Sequence, residues 1–172
     1  MTSSMGHSVL LIALTSLFFV GESASAGIDG PDLSTLSEED LKTVTIHLER
    51  TGCFGSCPSY ALTIHGDGNV EYEGKTYVKE TGSRAGHMDA TSIRTLLAEF
   101  NKTQFWELDE DFNGSKCKVT CTDMATVRIR LDVKGIEHHV VHYYGCGGVP
   151  RSLFDLESAI ERQRIPSSGP AM

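Results

Sequence analysis

The sequence predicts an α+β domain of two layers, in which an antiparallel β-meander is followed by a helix, a β-hairpin and a second helix. Three observations lead to this prediction. Residues 44–49, 60–65 and 70–73 alternate apolar with polar side chains, which is typical of half-buried strands. Residues 93–100 carry apolar side chains at helical spacing, and a second alternating pair of segments flanks residues 134–135. Strands followed by a helix, a hairpin and a helix are typical of α+β architecture.

The meander is the first part of the predicted fold. The link Gly66-Asp67-Gly68 offers glycine for a left-handed turn position, so it predicts a three-residue hairpin loop between the second and third strands. Gly74-Lys75 predicts the next turn, which leads into a fourth strand over residues 76–80.

The two helices and the second hairpin follow from caps, turns and periodicity. Asp89 is a candidate N-cap for a helix whose apolar face holds Ile93, Leu96, Leu97 and Phe100. Residues 124–133 and 136–145 flank Lys134-Gly135 as the second hairpin. Pro150 begins a last helix with one apolar face, made by Leu153, Leu156 and Ile160.

The N-terminus predicts export. Residues 9–20 are apolar and uncharged, and they are too few to span a bilayer as a helix of about 20 residues. The small residues Ala24-Ser25-Ala26 follow, in the pattern that signal peptidase cleaves. We therefore expect a signal peptide over residues 1–26, cleaved after Ala26, and a secreted or periplasmic protein. No later segment is apolar enough to predict a membrane span.

The rest of the chain is predicted to hold one domain. Residues 27–42 look like an N-terminal linker with at most one helical turn, at Ser37-Glu38-Glu39-Asp40. Residues 43–165 form the single α+β domain, since about 150 residues can bury enough surface for one core. Residues 166–172 are expected to be a disordered tail.

Charge narrows the range of partners. The formal net charge is −8 at pH 7. Nucleic acids and anionic membranes are bound through basic faces, so this charge argues against both. A protein or a small ligand is the expected partner.

Four segments carry a family resemblance. The motif G-C-F-G-x-C-P-x-Y spans residues 52–60 and is followed by LTIHGDGNVEYEG at residues 62–74. CTDMATVRI at residues 121–129 and HYYGCGG at residues 142–148 complete the pattern. From about residue 44 to residue 164, the chain resembles a bacterial family known as domain of unknown function 6438. The resemblance implies a small secreted or envelope domain, and it carries over no catalytic residue.

Cys53 and Cys57 permit two interpretations. If Leu48 faces Leu62, the same strand register places Cys53 opposite Cys57, close to the Cβ separation that a disulfide needs. In an oxidising compartment, a disulfide that pins the loop is the favoured interpretation. The alternative is a thiolate pair that binds copper or zinc or exchanges disulfides. The C-x-x-x-C-P spacing resembles the motif of a copper-chaperone family, but there a helix follows the motif, whereas here a strand follows.

The other three cysteines leave one unpaired. The second hairpin register sets Cys146 diagonal to Cys121, so we expect a Cys121–Cys146 bridge, with Cys117 free or paired between molecules. A Cys117–Cys121 bridge, which would leave Cys146 free, is the alternative.

Histidines and acidic residues offer weaker candidates. His138 and His142 share a strand face but lie about 13 Å apart, so we expect buried, hydrogen-bonding histidines. His47, His65 and Glu71 could form a weak surface zinc site, although exposed strand polar residues are far commoner.

Two further motifs are incomplete. Residues 109–114 match the first half of a calcium loop, but Thr120 stands where the bidentate glutamate belongs, so a solvated acidic turn is favoured. Residues 145–148 with Arg151 could present backbone N–H groups to an anion, and a flexible joint before the helix explains them equally well.

The sequence contains none of the catalytic motifs of hydrolases, metalloproteases or nucleotide-binding enzymes. We therefore favour a non-enzymatic binding or structural module stabilised by disulfides, with no cofactor and no metal. The alternative is a copper- or zinc-binding or thiol-redox protein that uses Cys53 and Cys57.

Overall fold

The computed structural model describes residues 29–163, which form an α+β domain with a seven-stranded sheet and three helices, as the sequence predicts. The strands are β1 (Thr45–Arg50), β2 (Ser59–His65), β3 (Asn69–Thr76), β4 (Gly82–His87), β5 (Asp111–Phe112), β6 (Thr126–Val133) and β7 (Ile136–Tyr143). The helices are α1 (Glu38–Leu41), α2 (Ala90–Thr103) and α3 (Arg151–Glu161), with short 3₁₀ turns at Phe105–Glu107 and Gly114–Lys116.

The sheet has the order β4-β3-β2-β1-β6-β7-β5. All neighbouring strands are antiparallel except β5 and β7, which are parallel. The two predicted registers are confirmed, because Leu48 pairs with Leu62 and Val133 pairs with Ile136. Strand β1 pairs on its other side with β6, so the meander and the second hairpin meet along one central seam.

The two faces of the sheet differ in burial. On one face, alternate residues are buried in a single apolar core, together with the apolar stripes of α2 and α3. The opposite face carries polar and charged side chains, among them His47, Glu49, Thr63 and Arg130. This alternation is what a sheet with one buried face requires.

Glycines make the two predicted hairpin turns possible. Gly68 has φ +100°, and a Cβ there would collide with the ring of His87. In the second hairpin, Lys134 and Gly135 have φ values of 58° and 78°, the left-handed pair that suits a two-residue turn between antiparallel strands. Both turns lie where the sequence places them.

The predicted fourth strand over residues 76–80 is wrong. Strand β3 continues through Gly74 and Lys75, and the turn comes later, over residues 77–81, before β4. Gly74 does not turn the chain. A Cβ at this position would collide with the carbonyl oxygen of Glu80, so the glycine permits a close approach of two chain segments.

Both longer helices begin where predicted. The carboxylate of Asp89 accepts a hydrogen bond from the N–H of Ser92 at 2.8 Å, which caps α2. Pro150 precedes the first residue of α3, whose apolar face buries Leu153, Leu156 and Ile160.

The segment before β1 packs on the domain. Residues 29–42 fall in the predicted linker, yet Leu33, Leu36 and Leu41 are buried members of the apolar core. The single helical turn is present as α1, which Ser37 caps by accepting a hydrogen bond from the N–H of Asp40. The described part of this segment therefore contributes to the core.

The predicted signal peptide over residues 1–26 and the predicted tail over residues 166–172 lie outside the described residues. None of the helices within residues 29–163 combines the length and the apolarity needed to cross a bilayer.

Burial of the N-terminal segment can be tested by truncating one leucine. Leu33 is 2 % exposed, so Leu33→Ala should lower the free energy of unfolding by about 2–5 kcal/mol, through lost apolar burial and the cavity that remains. Glu39→Gln, an exposed change in the same segment, should have an effect within about 0.5 kcal/mol. Urea unfolding of the three proteins measures the difference. Equal stability of Leu33→Ala and the unmodified chain would contradict the packing of this segment.

Candidate functional site

Four connections meet at one end of the sheet, which we call the loop end: residues 51–58, 77–81, 113–125 and 144–150. They meet there because β1, β3, β5 and β7 end at this side of the sheet and β2, β4 and β6 begin there. Both disulfides lie at the loop end. Loops carried on a rigid sheet are a common location for binding residues.

The first disulfide joins Cys53 to Cys57, as predicted, with a Cα–Cα distance of 5.5 Å. It closes a loop of three residues, Phe54-Gly55-Ser56, in which Gly55 has φ +147°. The side chain of Phe54, at the centre of this short loop's sequence, is 90 % exposed. The backbone N–H of Phe54 donates to the carbonyl of Asp123 at 3.1 Å, which fixes this loop against residues 113–125.

The second disulfide corrects a prediction. Cys117, not Cys121, pairs with Cys146, and Cys121 is a free, exposed thiol. The hairpin register holds as far as the bond from the Tyr144 N–H to the Ala125 carbonyl. A turn at Asp123 (φ 65°) then absorbs extra residues, so that Thr120 faces Cys146.

This register shift explains the pairing. The N–H of Cys121 donates to the carbonyl of Gly145 at 2.8 Å, so Cys121 lies one position away from Cys146 along the ladder. Side chains alternate between the two sides of an extended chain, so the Cys121 thiol is directed away from the side of Thr120 and Cys146. The Sγ of Cys146 is therefore available to Cys117. Sequence spacing could not reveal the shift, because the turn at Asp123 lies outside the regular hairpin.

Exposed apolar side chains concentrate at the loop end. Among residues 29–163, the exposed large apolar residues are Phe54, Tyr77, Val119, Met124 and Ile136. The first four lie at the loop end, with exposed fractions of 90 %, 66 %, 66 % and 43 %, and only Ile136 lies at the opposite end. Four exposed apolar side chains at this end, against one at the other, make the loop end the candidate interaction surface among the described residues.

A buried polar network lies beneath the loop end, between the sheet and α3. The Nδ1 atom of His142 lies 2.6 Å from a carboxylate oxygen of Glu157, and both side chains are 1 % exposed. The hydroxyl of Tyr144 donates to the other oxygen of Glu157 at 2.7 Å. Because an ionised carboxylate only accepts hydrogen bonds, the Nδ1 atom of His142 is the donor in this pair.

Arg50 extends the network to Glu161, the last residue of α3. Its guanidinium donates to the hydroxyl of Tyr144 at 3.2 Å and to the carboxylate of Glu161 at 3.0 Å, and the hydroxyl of Tyr60 donates to the same carboxylate. The Arg50 guanidinium also lies 4.4 Å from the centroid of the Tyr144 ring. Burial, followed by the hydrogen bond to Glu157, raises the pKa of Tyr144 to about 12. The phenol therefore stays protonated and keeps donating to Glu157.

The network ties strands β1, β2 and β7 to one helix directly under the loops. The sequence does not indicate that Arg50, Tyr144, Glu157 and Glu161 lie together. One signal was present, because Glu157 falls on the apolar face of α3, four residues after Leu153 and three before Ile160. A charged residue at such a position needs a buried partner.

His138 and His142 on β7 are buried and hydrogen-bonded, as predicted. His138 is 3 % exposed, and its Nε2 atom lies 3.1 Å from the carbonyl oxygen of Leu108. Burial lowers the pKa of His138, which keeps the imidazole neutral. His142 belongs to the network with Glu157, so the two rings serve separate contacts.

The possible zinc set on the opposite face is not assembled. The Nδ1 atom of His47 lies 3.0 Å from the hydroxyl of Thr63, whereas the Nε2 atom of His65 lies 3.7 Å from Glu71. Within residues 29–163, no three histidine, cysteine, aspartate or glutamate side chains lie close enough to hold one metal ion.

The other two motifs have structural explanations. In the half calcium loop, Asp111 lies in β5, paired with Val141, and Asp109 lies 3.6 Å from Lys116, so these residues do not form one coordinating loop. After residues 145–148, Arg151 contacts Asp155 at 3.3 Å, four residues later on α3.

The described residues thus define an α+β domain with a disulfide-braced loop end and a buried polar network that supports it. A family model described as a domain of unknown function (DUF6438) matches residues 44–164. The chain belongs to this family, which confirms the resemblance found in the sequence. The chain matches none of the curated proteins.

The two disulfides should differ in their effect on stability. The Cys53–Cys57 bridge spans a sequence separation of 4 residues and the Cys117–Cys146 bridge one of 29. Since loop-closure entropy grows with loop length, Cys53→Ser with Cys57→Ser should cost about 2 kcal/mol, and Cys117→Ser with Cys146→Ser about 3.5 kcal/mol. Denaturant unfolding of the two double variants, with Cys121→Ser as the control, measures both. The reverse order would contradict the argument that the longer loop restricts the unfolded chain more.

The buried network should be sensitive to the charge of Glu157. Glu157→Gln removes the carboxylate that accepts from both His142 and Tyr144, so we expect a loss of about 3 kcal/mol in the free energy of unfolding. Glu137→Gln is the matched control, because this glutamate is 47 % exposed and lies 3.8 Å from Arg130. Its effect should stay within about 0.5 kcal/mol. Thermal and urea unfolding compare the variants, and similar losses in both would argue against the network as a major anchor of α3.

Proposed function

We propose that the chain is an exported, non-enzymatic binding module that recognises a protein partner through the loop end. The observation that carries this proposal is the concentration of Phe54, Tyr77, Val119 and Met124 on that one end of the sheet. Apolar side chains held in water cost free energy, and contact with a partner removes that cost. The aromatic residues and methionine are the side chain types enriched in protein interfaces.

The disulfides suit this role by fixing the loops before a partner arrives. Phe54 stands at the tip of a three-residue loop closed by Cys53 and Cys57. Val119 lies in a segment tied to Cys146 through Cys117 and through the bond from the Gly147 N–H to the Val119 carbonyl. Pre-organised loops lose less conformational entropy on binding than mobile ones, so more of the contact energy appears as affinity.

Export is part of the proposal. Residues 1–26 have the pattern of a signal peptide, and two disulfides are expected where the compartment is oxidising. The presence of two disulfides supports a protein that works outside the cytoplasm, where such bridges persist.

Site-specific cross-linking in the native host tests the surface. A photoreactive amino acid replaces Phe54 in one variant and Ile136 in the other, because Ile136 is the exposed apolar residue at the opposite end. We expect a discrete cross-linked partner from position 54 and none from position 136. Adding Val119→Ser and Met124→Ser should reduce the yield about tenfold or more, since interface centres contain the side chains that matter most.

Mass spectrometry of the exported protein accompanies this experiment. After alkylation without reduction, one thiol, Cys121, should be modified, and the mature chain should begin after Ala26. Equal cross-linking from positions 54 and 136 would overturn the loop end as the binding surface. Alkylation of Cys53 and Cys57, or about one bound copper or zinc per chain that is lost when they are replaced, would favour the metal or thiol-redox alternative.

A further inference from the structure

The free edge of strand β4 forms a second interaction surface, separate from the loop end. We infer that this edge binds an extended, basic segment of a partner protein, which adds to the sheet as an eighth strand. The inference rests on the direction of backbone groups along β4, the small side chains on this strand, and the charge of the neighbouring strand.

The register shows which backbone groups of β4 are open. The N–H of Met88 donates to the carbonyl of Gly68 at 2.8 Å, which sets the phase of the β3–β4 ladder. Hydrogen-bonded and non-hydrogen-bonded pairs alternate along an antiparallel ladder. The backbone N–H and C=O groups of the even-numbered β4 residues therefore point toward β3. The N–H and C=O groups of Ser83, Ala85 and His87 therefore point away from the sheet.

No strand among residues 29–163 lies beyond β4, which is first in the sheet order. Edge strands are commonly protected by proline, by lysine or by a bulge. Strand β4 has six residues, contains neither proline nor lysine, and pairs with β3 without a register shift. Arg84 covers part of the edge, by donating to the carbonyl of Ser83 at 2.8 Å.

Small side chains leave this edge accessible. Residues Gly82, Ser83 and Ala85 are exposed, and the last two share the helix-free face of the sheet with Glu73 and Glu71, their partners in register. A shallow depression on this face is lined by residues of four strands, among them His47, Thr63, Glu71, Glu73, Arg84 and Ala85. An added strand would lie directly beside this depression.

The charge of the depression selects the partner. Glu71 and Glu73 are exposed, and neither lies within ion-pair distance of a described lysine or arginine. Glu71 lies 3.7 Å from the Nε2 atom of His65. Neighbouring strands are about 4.8 Å apart, so an added strand lies about 10 Å from β3. A long lysine or arginine side chain on that strand can extend over the small side chain of Ser83 or Ala85 and reach the carboxylate of Glu73 or Glu71. Side chains two residues apart on a strand share one face, as Glu71 and Glu73 do on β3. Basic residues at alternate positions of the added strand would therefore lie on the same face as these two carboxylates.

A second copy of the chain fits this edge less well. Pairing of β4 with β4 of another copy about a two-fold axis perpendicular to the sheet would bring the Glu71 and Glu73 pairs of both copies to the same face. The two β3 strands would lie about 14 Å apart. Salt screens most of the repulsion at that distance, so self-pairing gains no charge complementarity, whereas a basic segment does. The basic segment is therefore the occupant that the structure favours.

The test uses an eight-residue peptide of alternating lysine and valine, with capped ends, titrated into the exported chain. Binding is followed by amide chemical shifts and by hydrogen exchange at each backbone N–H. We expect protection of the N–H groups of Ser83, Ala85 and His87, which the described structure leaves open. A peptide of alternating glutamate and valine is the charge control. The lysine–valine peptide with N-methyl groups on alternate amides is the backbone control, and neither should bind.

Two variants of the protein complete the test. Ala85→Pro removes an N–H that faces away from β3, so it should abolish binding while the thermal midpoint stays within a few degrees. Glu71→Gln with Glu73→Gln should weaken binding about three- to tenfold, as expected for two exposed charge contacts. Glu137→Gln, on the same face but distant from β4, should leave the affinity unchanged.

The outcomes are decisive in either direction. Protection of the three edge amides by the lysine–valine peptide, lost with Ala85→Pro and with the N-methylated peptide, supports the inference. Absence of binding, or binding that survives N-methylation, overturns it. Self-association in sedimentation experiments that disappears with Ala85→Pro would assign the edge to a second copy instead. None of these results depends on cross-linking from position 54, so failure here leaves the proposed function at the loop end intact.

Discussion

The pairing of β1 with β6 is the constraint on which the rest of the structure depends. The sheet has two parts, the meander β1–β4 and the hairpin β6–β7, and they are joined along this one pair of strands. The pair is fixed by burial, because Leu48 and its partner Ile129 both lie in the core with exposed fractions of 0 % and 1 %. A shift of one residue would expose every apolar side chain of β1. The seam therefore determines which loops become neighbours at the loop end.

The polar network under those loops has a different energetic character. Desolvation of Glu157 and His142 is expensive, and their mutual hydrogen bond offsets that expense only when the geometry is good. A buried pair of this kind contributes little net stability, but loss of one partner leaves an uncompensated group. The network thus fixes the position of α3 under β1, β2 and β7 with a specificity that apolar packing alone does not provide. Because Arg50 and Tyr60 flank residues 51–58, the same contacts hold the base of the Phe54 loop.

Periodicity and turn chemistry were sufficient to predict much of this fold. The alternation in β1 and β2, the glycines of the hairpins, and the Asp89 cap act over a few residues, so the sequence displays them directly. The fourth strand failed because Gly74 has two possible uses, as a turn or as a site of close approach, and distant Glu80 decides between them. The prediction of a Cys121–Cys146 bridge failed for the same reason, since the irregular turn at Asp123 makes Cys117 the partner of Cys146. Contacts determined by residues far apart in the chain leave no local pattern.

The candidate site was predictable only in part. The sequence identifies Cys53 and Cys57 as a loop-closing pair, since their positions follow from the β1–β2 register. It does not show that Phe54, Val119 and Met124 share one end of the molecule, because that depends on the seam between β1 and β6. It also does not show the network, in which Arg50 and Glu161 are separated by 111 residues.

The two candidate surfaces use different physical principles, and this difference bears on specificity. At the loop end, the contact groups are side chains on fixed loops, so shape discriminates between partners. Along β4 the contact groups are backbone amides, which accept many sequences, and Glu71 and Glu73 supply the preference for basic residues. The two surfaces adjoin, because β4 begins at Gly82 and Tyr77 lies in the connection just before it. A segment added along β4 therefore ends beside the loop end. A partner that presents such a segment next to an apolar surface could engage both at once, and each contact would raise the effective concentration of the other.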